Sequence, residues 1–442
     1  MILVVGLVLY FINDQYKLRK VIQSMKSNQA QNMHLLCFDP VYPKNESVSK
    51  YNEELNKGTG LFQKLKPTRY MRMIHYGGDN IPFNLVDGVN YNDDKTVTLE
   101  YFAPNAKLVQ VKYRLHNYLN SSPEYRKDPK FYSKDYVLED MSLDEDGYWR
   151  KTINPGPGYH SIFFVVDGQS SINLQSPYVH DDDGIRNIID IADDEDTQIH
   201  KVPHGSLTRE IYFSDTTNRF RCCWVYTPAS YATSDKTYPV LYIQHGGSQN
   251  ETSWFASGKI DMILDNLIAR GEAEEMIVVA NNGYVFIPDG ETTAIEGKLD
   301  DVIVGECIPY IESKYRVKKD RRSRAAAGLS MGGGHARRLG LLHADVFANC
   351  GMFSSGECFP IKTEDMDLSD LFSDAKKFNE YMDVITVACG DADPRYDLTK
   401  EQVSNYIEKG FNIEFIGYKG QHEWNVWRYC AKDFVKKIFK VK

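Results

Sequence analysis

Gly328-Leu329-Ser330-Met331-Gly332, continued by Gly333, Gly334 and His335, is the stretch on which the reading of this chain turns. It fits G-x-S-x-G, a pattern in which a serine occupies a sharp strand-to-helix turn and small neighbours let the backbone bend that tightly. Upstream, Ser323 to Leu329 is a short apolar run that reads as a buried strand. Downstream, Met331 to Leu342 has helix-forming character. A helix beginning at the serine would aim the Met331 N–H and the positive end of its dipole at an oxyanion forming there.

From about His204 onward the pattern alternates strand and helix. Phe220 to Tyr226, Val240 to Gln244, Met276 to Ala280, Val346 to Phe353, Val384 to Cys389 and Ile413 to Ile416 read as strands. Lys259 to Arg270, Leu299 to Tyr315, Leu398 to Lys409 and Trp424 to Phe439 read as helices. Parallel strands joined by helices predict an α/β doubly wound sheet over residues 204–442, with the site at the strands' C-terminal ends.

A serine hydroxyl needs a base within hydrogen-bond reach, and the base needs an orienting acid. Gly390-Asp391-Ala392-Asp393 follows the Val384 strand, and Gly420-Gln421-His422 follows the Ile413 strand. The order Ser330, Asp393, His422 is that of α/β-hydrolases. Asp391 is the alternative acid, and Asp397 reads as the N-cap of the next helix. Of the eleven histidines, His335 is expected to pack or line the pocket and His343 to cap its helix. His245 ends a strand in His245-Gly246-Gly247, where the N–H of Gly246 or of Gly247 is expected to join that of Met331 as an oxyanion donor.

Tyr238-Pro239-Val240-Leu241-Tyr242, His245-Gly246-Gly247, the Ser330 segment and Gly420-Gln421-His422-Glu423-Trp424 with Trp427-Arg428 together resemble the esterase D and feruloyl esterase group of family one carbohydrate esterases. The resemblance spans about residues 200–440. It implies an α/β-hydrolase in which Ser330 is acylated, His422 is general base and Asp393 orients it, with no metal or organic cofactor. The implied substrate is a small-molecule or glycan ester carrying a feruloyl, related hydroxycinnamoyl or acetyl group. Trp254, Phe255, Phe286, Phe353 and Trp424 are candidate walls for a flat acyl group, with a place in the core as the alternative for each. The competing readings are an enterochelin-type siderophore esterase, which shares the fold and an N-terminal β domain and has Arg337 and Arg338 beside the elbow as its only local hint, an acyltransferase, and a catalytically silent carbohydrate-binding protein.

Residues 69–183 change character to short, turn-bounded strands: Thr96 to Phe102, Val109 to Leu115, Tyr148 to Ile153 and Ser161 to Val166. This predicts a small β-sandwich. Phe102-Ala103-Pro104-Asn105-Ala106, Asp146-Gly147-Tyr148-Trp149 and Pro157-Gly158-Tyr159 resemble the immunoglobulin-like E-set module of glycogen-branching enzymes and bacterial carbohydrate esterases. In relatives such a module binds glucan or packs on the catalytic domain, and packing is the expected role here. Residues 184–203 read as an acidic linker.

The 442 residues are 42% hydrophobic and 26% charged, which is globular and enough for two cored domains. The net charge of −9 argues against a nucleic-acid or anionic-membrane partner. Eight cysteines show neither C-x-x-C nor zinc spacing, and Cys307, Cys350 and Cys389 read as reduced core residues. Residues 1–68 comprise the apolar run Met1 to Ile12, readable as a signal, an anchor or a buried strand, and a polar extension. A xylan ester as substrate favours export, whereas the unpaired cysteines favour the cytoplasm.

Overall fold

The computed structural model describes residues 88–115, 136–181, 184–286, 292–293, 298–356, 358–359, 362–363 and 366–440. The expectations for residues 1–68, including Met1 to Ile12, lie outside these, as does the side chain of Phe286. The chain divides into two compact units, the first ending at Asp193.

In the first unit, Val109, Val111 and Tyr113 are buried while Lys112 between them is exposed, the alternation of a strand with one apolar face. Strands β1 (Val89–Tyr91), β2 (Val97–Phe102), β5 (Ser142–Leu143) and β6 (Tyr148–Ile153) form one antiparallel sheet in the order β1-β2-β6-β5. Strands β3 (Val109–Arg114), β4 (Tyr136–Asp140), β7 (Gly158–Val166), β8 (Gln169–Ser171), β9 (Tyr178–Asp181) and β10 (Gly184–Ile191) form the other, ordered β4-β3-β7-β10-β9 with β8 on β7. Leu99, Tyr101 and Trp149 from the first sheet share a buried core with Val111, Ile162, Phe164 and Ile189 from the second. Strand β10 corrects the expected linker over 184–203. Asn187 to Ile191 pair with Gly158 to Ile162, and Ile188, Ile189 and Ile191 are buried.

The second unit holds an eight-stranded sheet. Its strands are β11 (Ser206–Ser214), β12 (Arg219–Thr227), β13 (Val240–Gln244), β14 (Ile277–Asn281), β17 (Arg324–Leu329), β18 (Asn349–Phe353), β21 (Val384–Gly390) and β22 (Glu414–Tyr418). Between them lie the short pairs β15 (Val285–Phe286) with β16 (Thr292–Thr293) and β19 (Lys362–Thr363) with β20 (Met366–Asp367). The order is β11-β12-β14-β13-β17-β18-β21-β22. The six strands from β14 to β22 run parallel, whereas β11 and β12 are antiparallel, a departure from uniform alternation.

Helices α1 (Ser253–Ala256), α2 (Ile260–Ala269), α4 (Met331–Arg337), α5 (Ala375–Tyr381), α6 (Tyr396–Glu408) and α7 (Trp424–Val435) flank the sheet, with α3 in three segments (Lys298–Asp300, Asp301–Cys307, Ile308–Lys314). The middle segment of α3 and the continuation of α4 over Arg338–Leu342 are wound as π-helix, which the sequence pattern does not reveal. β13 and β17, buried at every position but Arg324, are the continuous apolar runs that a sheet covered on both faces requires. One face packs Tyr242 and Val279 on Val302, Ile303 and Leu339, and a second buried cluster gathers Met352, Val387, Phe378 and Val403.

Candidate active site

The C-terminal ends of β13, β17, β21 and β22 deliver the candidate residues, as expected for a parallel sheet. At the end of β17, Ser330 has φ 52° and ψ −119°, outside the helical and extended regions, and its N–H donates to Phe353 O at 2.8 Å. Glycines make this turn possible. A Cβ on Gly328 would stand 2.2 Å from Gly332 O, and one on Gly332 would stand 2.4 Å from the carbonyl oxygens of both Gln244 and His245.

Ser330 Oγ lies 2.9 Å from His422 Nε2, and His422 Nδ1 lies 2.6 Å from Asp393 Oδ2. An ionised carboxylate only accepts, so Nδ1 carries the proton and donates to Asp393, leaving Nε2 to accept from the serine hydroxyl. Asp393 is fully buried. Burial alone would raise its pKa, but hydrogen bonding and charge from His422, with the Arg395 N–H at 3.0 Å on Oδ1, hold it below the ordinary carboxylate value. Arg395 also places its guanidinium 3.4 Å from His422 Nδ1 and 3.5 Å from Asp393 Oδ1. Trp427 stands edge-on to the His422 ring, 4.9 Å between centroids at 89°. Sequence reasoning missed both roles. Arg395 lies two residues past the acid, and Trp427 one helical turn beyond the Glu423 that precedes α7, spacings that could have flagged them.

Asp391 does something else. Its Oδ1 accepts the Gly420 N–H at 3.1 Å, while Ala392 N–H donates to Gly420 O at 2.8 Å, so the acid loop and the histidine loop are stitched together at Gly420. Gly390 permits the approach: a Cβ there would fall 2.5 Å from Gly420 O. Asp397 is not the N-cap of α6. Arg395 holds that position, because the turn after Asp393 starts the helix two residues earlier, and Asp397 sits in its first turn.

The Met331 N–H heads α4 beside Ser330 and has no partner among the described residues. Gly246 lies against Ser330, with its would-be Cβ 3.3 Å from Ser330 Cβ, but its N–H donates to Gln249 Oε1 at 2.9 Å. The exposed Gly247 keeps its N–H free among the described residues.

The proposed acyl walls need correction. Trp254 and Phe353 are 1% and 0% exposed, pack edge-on against each other at 6.2 Å, and belong to the core, with Trp254 Nε1 donating to Gln244 O. Phe255 is likewise buried, and Trp424 is buried against Trp254 and Trp427. Aromatic character alone does not separate a pocket wall from a core residue. His335 is fully buried and His343 ends its helix, as expected.

Residues 214–430 match the Esterase family, described as "Putative esterase". The C-terminal unit has an esterase-type α/β-hydrolase fold. Over 323 residues, 68% of this chain and 41% of the relative, the sequence is 31% identical to an "Endo-1,4-beta-xylanase/feruloyl esterase" of Xylanibacter ruminicola. It is 32% identical over 152 residues to "Endo-1,4-beta-xylanase Y" of Acetivibrio thermocellus, 31% of this chain and 13% of that one. The chain thus spans less than half the length of either. Among solved structures, the enterobactin esterase of Shigella flexneri shares the fold over 77% of this chain and 92% of its own, with a TM-score of 0.50 and 15% identity.

Proposed function

We propose that the protein is a serine esterase that removes hydroxycinnamoyl (feruloyl) or acetyl groups from plant cell-wall polysaccharide or its oligosaccharides. The observation that carries the reading is the unbroken relay from Ser330 Oγ through His422 to Asp393, at 2.9 and 2.6 Å, beside the N–H groups of Met331 and Gly247, which have no partner among the described residues. In this reading Ser330 Oγ attacks the ester carbonyl while His422 Nε2 takes its proton. The oxyanion is met by the two N–H groups, and collapse of the tetrahedral adduct expels the sugar alcohol, which receives the proton from His422. Water, deprotonated by His422, then releases the acid and frees Ser330. Asp393 stays ionised and holds the imidazolium.

Support for the plant-polysaccharide ester comes from the feruloyl esterase and xylanase names of the relatives. The siderophore reading rests on fold likeness alone and would need a cationic pocket. Arg338, one of its two candidates, is instead buried in an ion pair with Asp300 at 2.8 Å. The N-terminal unit is read as the immunoglobulin-like module, supported by its two sheets around one core. Hydrolysis of methyl ferulate and of p-nitrophenyl acetate by the wild type and by Ser330→Ala tests the proposal. Ferulate release abolished by the substitution supports it, and turnover independent of Ser330 refutes it.

A further inference from the structure

His245 is 1% exposed and follows β13 immediately before the candidate oxyanion loop. Both ring nitrogens are engaged. Nε2 lies 2.9 Å from the Gly283 N–H and can only accept there, so the proton sits on Nδ1 and is donated to Gly246 O at 2.8 Å. Burial supports this neutral form, lowering the pKa to about 4.

Gly246 C=O and Gly247 N–H belong to one trans peptide, so they point in opposite directions. A side chain that holds the carbonyl from the buried side therefore turns the N–H toward the open side. Gly247 is exposed, and the neighbouring Gly246 lies against Ser330. Gln249 Oε1 takes the preceding N–H, that of Gly246, and removes it as a competitor. The ring's other anchor is itself fixed: Arg221 donates to Asn282 O at 2.6 Å and Tyr284 O at 3.1 Å, on either side of Gly283. Gly283 also packs on His335, where a Cβ would fall 2.8 Å from the ring.

We infer that His245 is a positioning residue: through Nδ1–H it clamps the 246–247 peptide so that the Gly247 N–H is preorganised for the oxyanion. This rests on the esterase reading above. A donor held in place before the charge develops costs no reorganisation in the transition state, which is why the loss of one such donor lowers kcat rather than raising KM.

The two amide substitutions separate the ring nitrogens. His245→Asn puts an N–H donor at the place of Nδ1 and removes the contact to Gly283. His245→Gln reaches the place of Nε2 and leaves Gly246 O without its donor. The assay is steady-state hydrolysis of p-nitrophenyl acetate by the full chain, with Ser330→Ala as control and thermal unfolding recorded for every variant. The expected result is a kcat loss of about 10²- to 10³-fold for His245→Gln with KM within about threefold, and kcat within about tenfold of wild type for His245→Asn. Equal kcat losses in the two variants, following their loss of thermal stability, would show a merely structural histidine and overturn the inference while leaving the esterase reading intact. If His245→Gln does not fold, His245→Asn decides: a loss of a hundredfold or more overturns the inference. Absence of Ser330-dependent turnover in the wild type overturns the esterase reading and this inference with it.

Discussion

Replacing Asp393 by Asn tests the acid at the level of single atoms. Asp393 Oδ1 accepts the Arg395 N–H at 3.0 Å, and Oδ2 accepts His422 Nδ1–H at 2.6 Å. An asparagine at this buried position has one acceptor and one donor end. The Arg395 N–H cannot face the amide NH2, so the side-chain oxygen must turn to Arg395 and the NH2 to His422. His422 Nδ1 must then become an acceptor, which moves the ring proton to Nε2, the atom that has to receive the proton of Ser330. The nucleophile is left without a base, and the imidazolium formed during attack without its counter-charge. The expected loss in kcat/KM is about 10³- to 10⁴-fold, corresponding to about 4–5.5 kcal/mol of transition-state stabilisation. Asp391→Asn keeps a side-chain oxygen for Gly420 N–H and should lose less than about tenfold. The assay is p-nitrophenyl acetate hydrolysis across pH 6–9, with far-ultraviolet circular dichroism to confirm folding. A loss under tenfold in Asp393→Asn, or a larger loss in Asp391→Asn, would refute the argument.

Gly332→Ala drives a methyl group to 2.4 Å from two carbonyl oxygens of the β13 end. It should destabilise the fold by about 1–3 kcal/mol and suppress hydrolysis, as read by urea unfolding and initial rates on the same sample. Acid should weaken the fold through two buried histidines. Burial lowers His245 from 6.5 to about 4, and burial with the neighbouring charge of His245 lowers His335 to about 3. The unfolded chain therefore binds these protons first, so their stabilisation is complete above pH 6.5 and is lost as pH falls toward 4 and 3. His245 alone accounts for about 3 kcal/mol by pH 4. Urea unfolding from pH 7.5 to 4.5 should show this slope, and its reduction in His335→Phe would assign the second proton.

Seven of the eight strands of the C-terminal sheet could be read from apolar periodicity, because a sheet covered on both faces demands uninterrupted hydrophobic runs such as Val240 to Gln244, whereas β11, exposed along much of its length, and α5 could not. The elbow could be read from its glycines, since only Gly tolerates the carbonyl contacts at 328 and 332. Ser330, Asp393 and His422 could be read as candidates because each follows a strand end in one chain order. Tertiary structure alone decided the rest. It separated Asp393 from Asp391, since both carboxylates follow the same strand and differ only in whether Oδ faces His422 or Gly420. It put Trp254 and Phe353 in the core, because composition does not say which face of an element meets a ligand. It engaged the N–H of Gly246 with Gln249 and its carbonyl with His245, and left the N–H of Gly247 without a partner among the described residues. Local pattern is set by residues near in sequence, whereas the direction of a side chain or a peptide plane at the site is set by partners 29 and 38 residues away, as for His422 with Asp393 and His245 with Gly283.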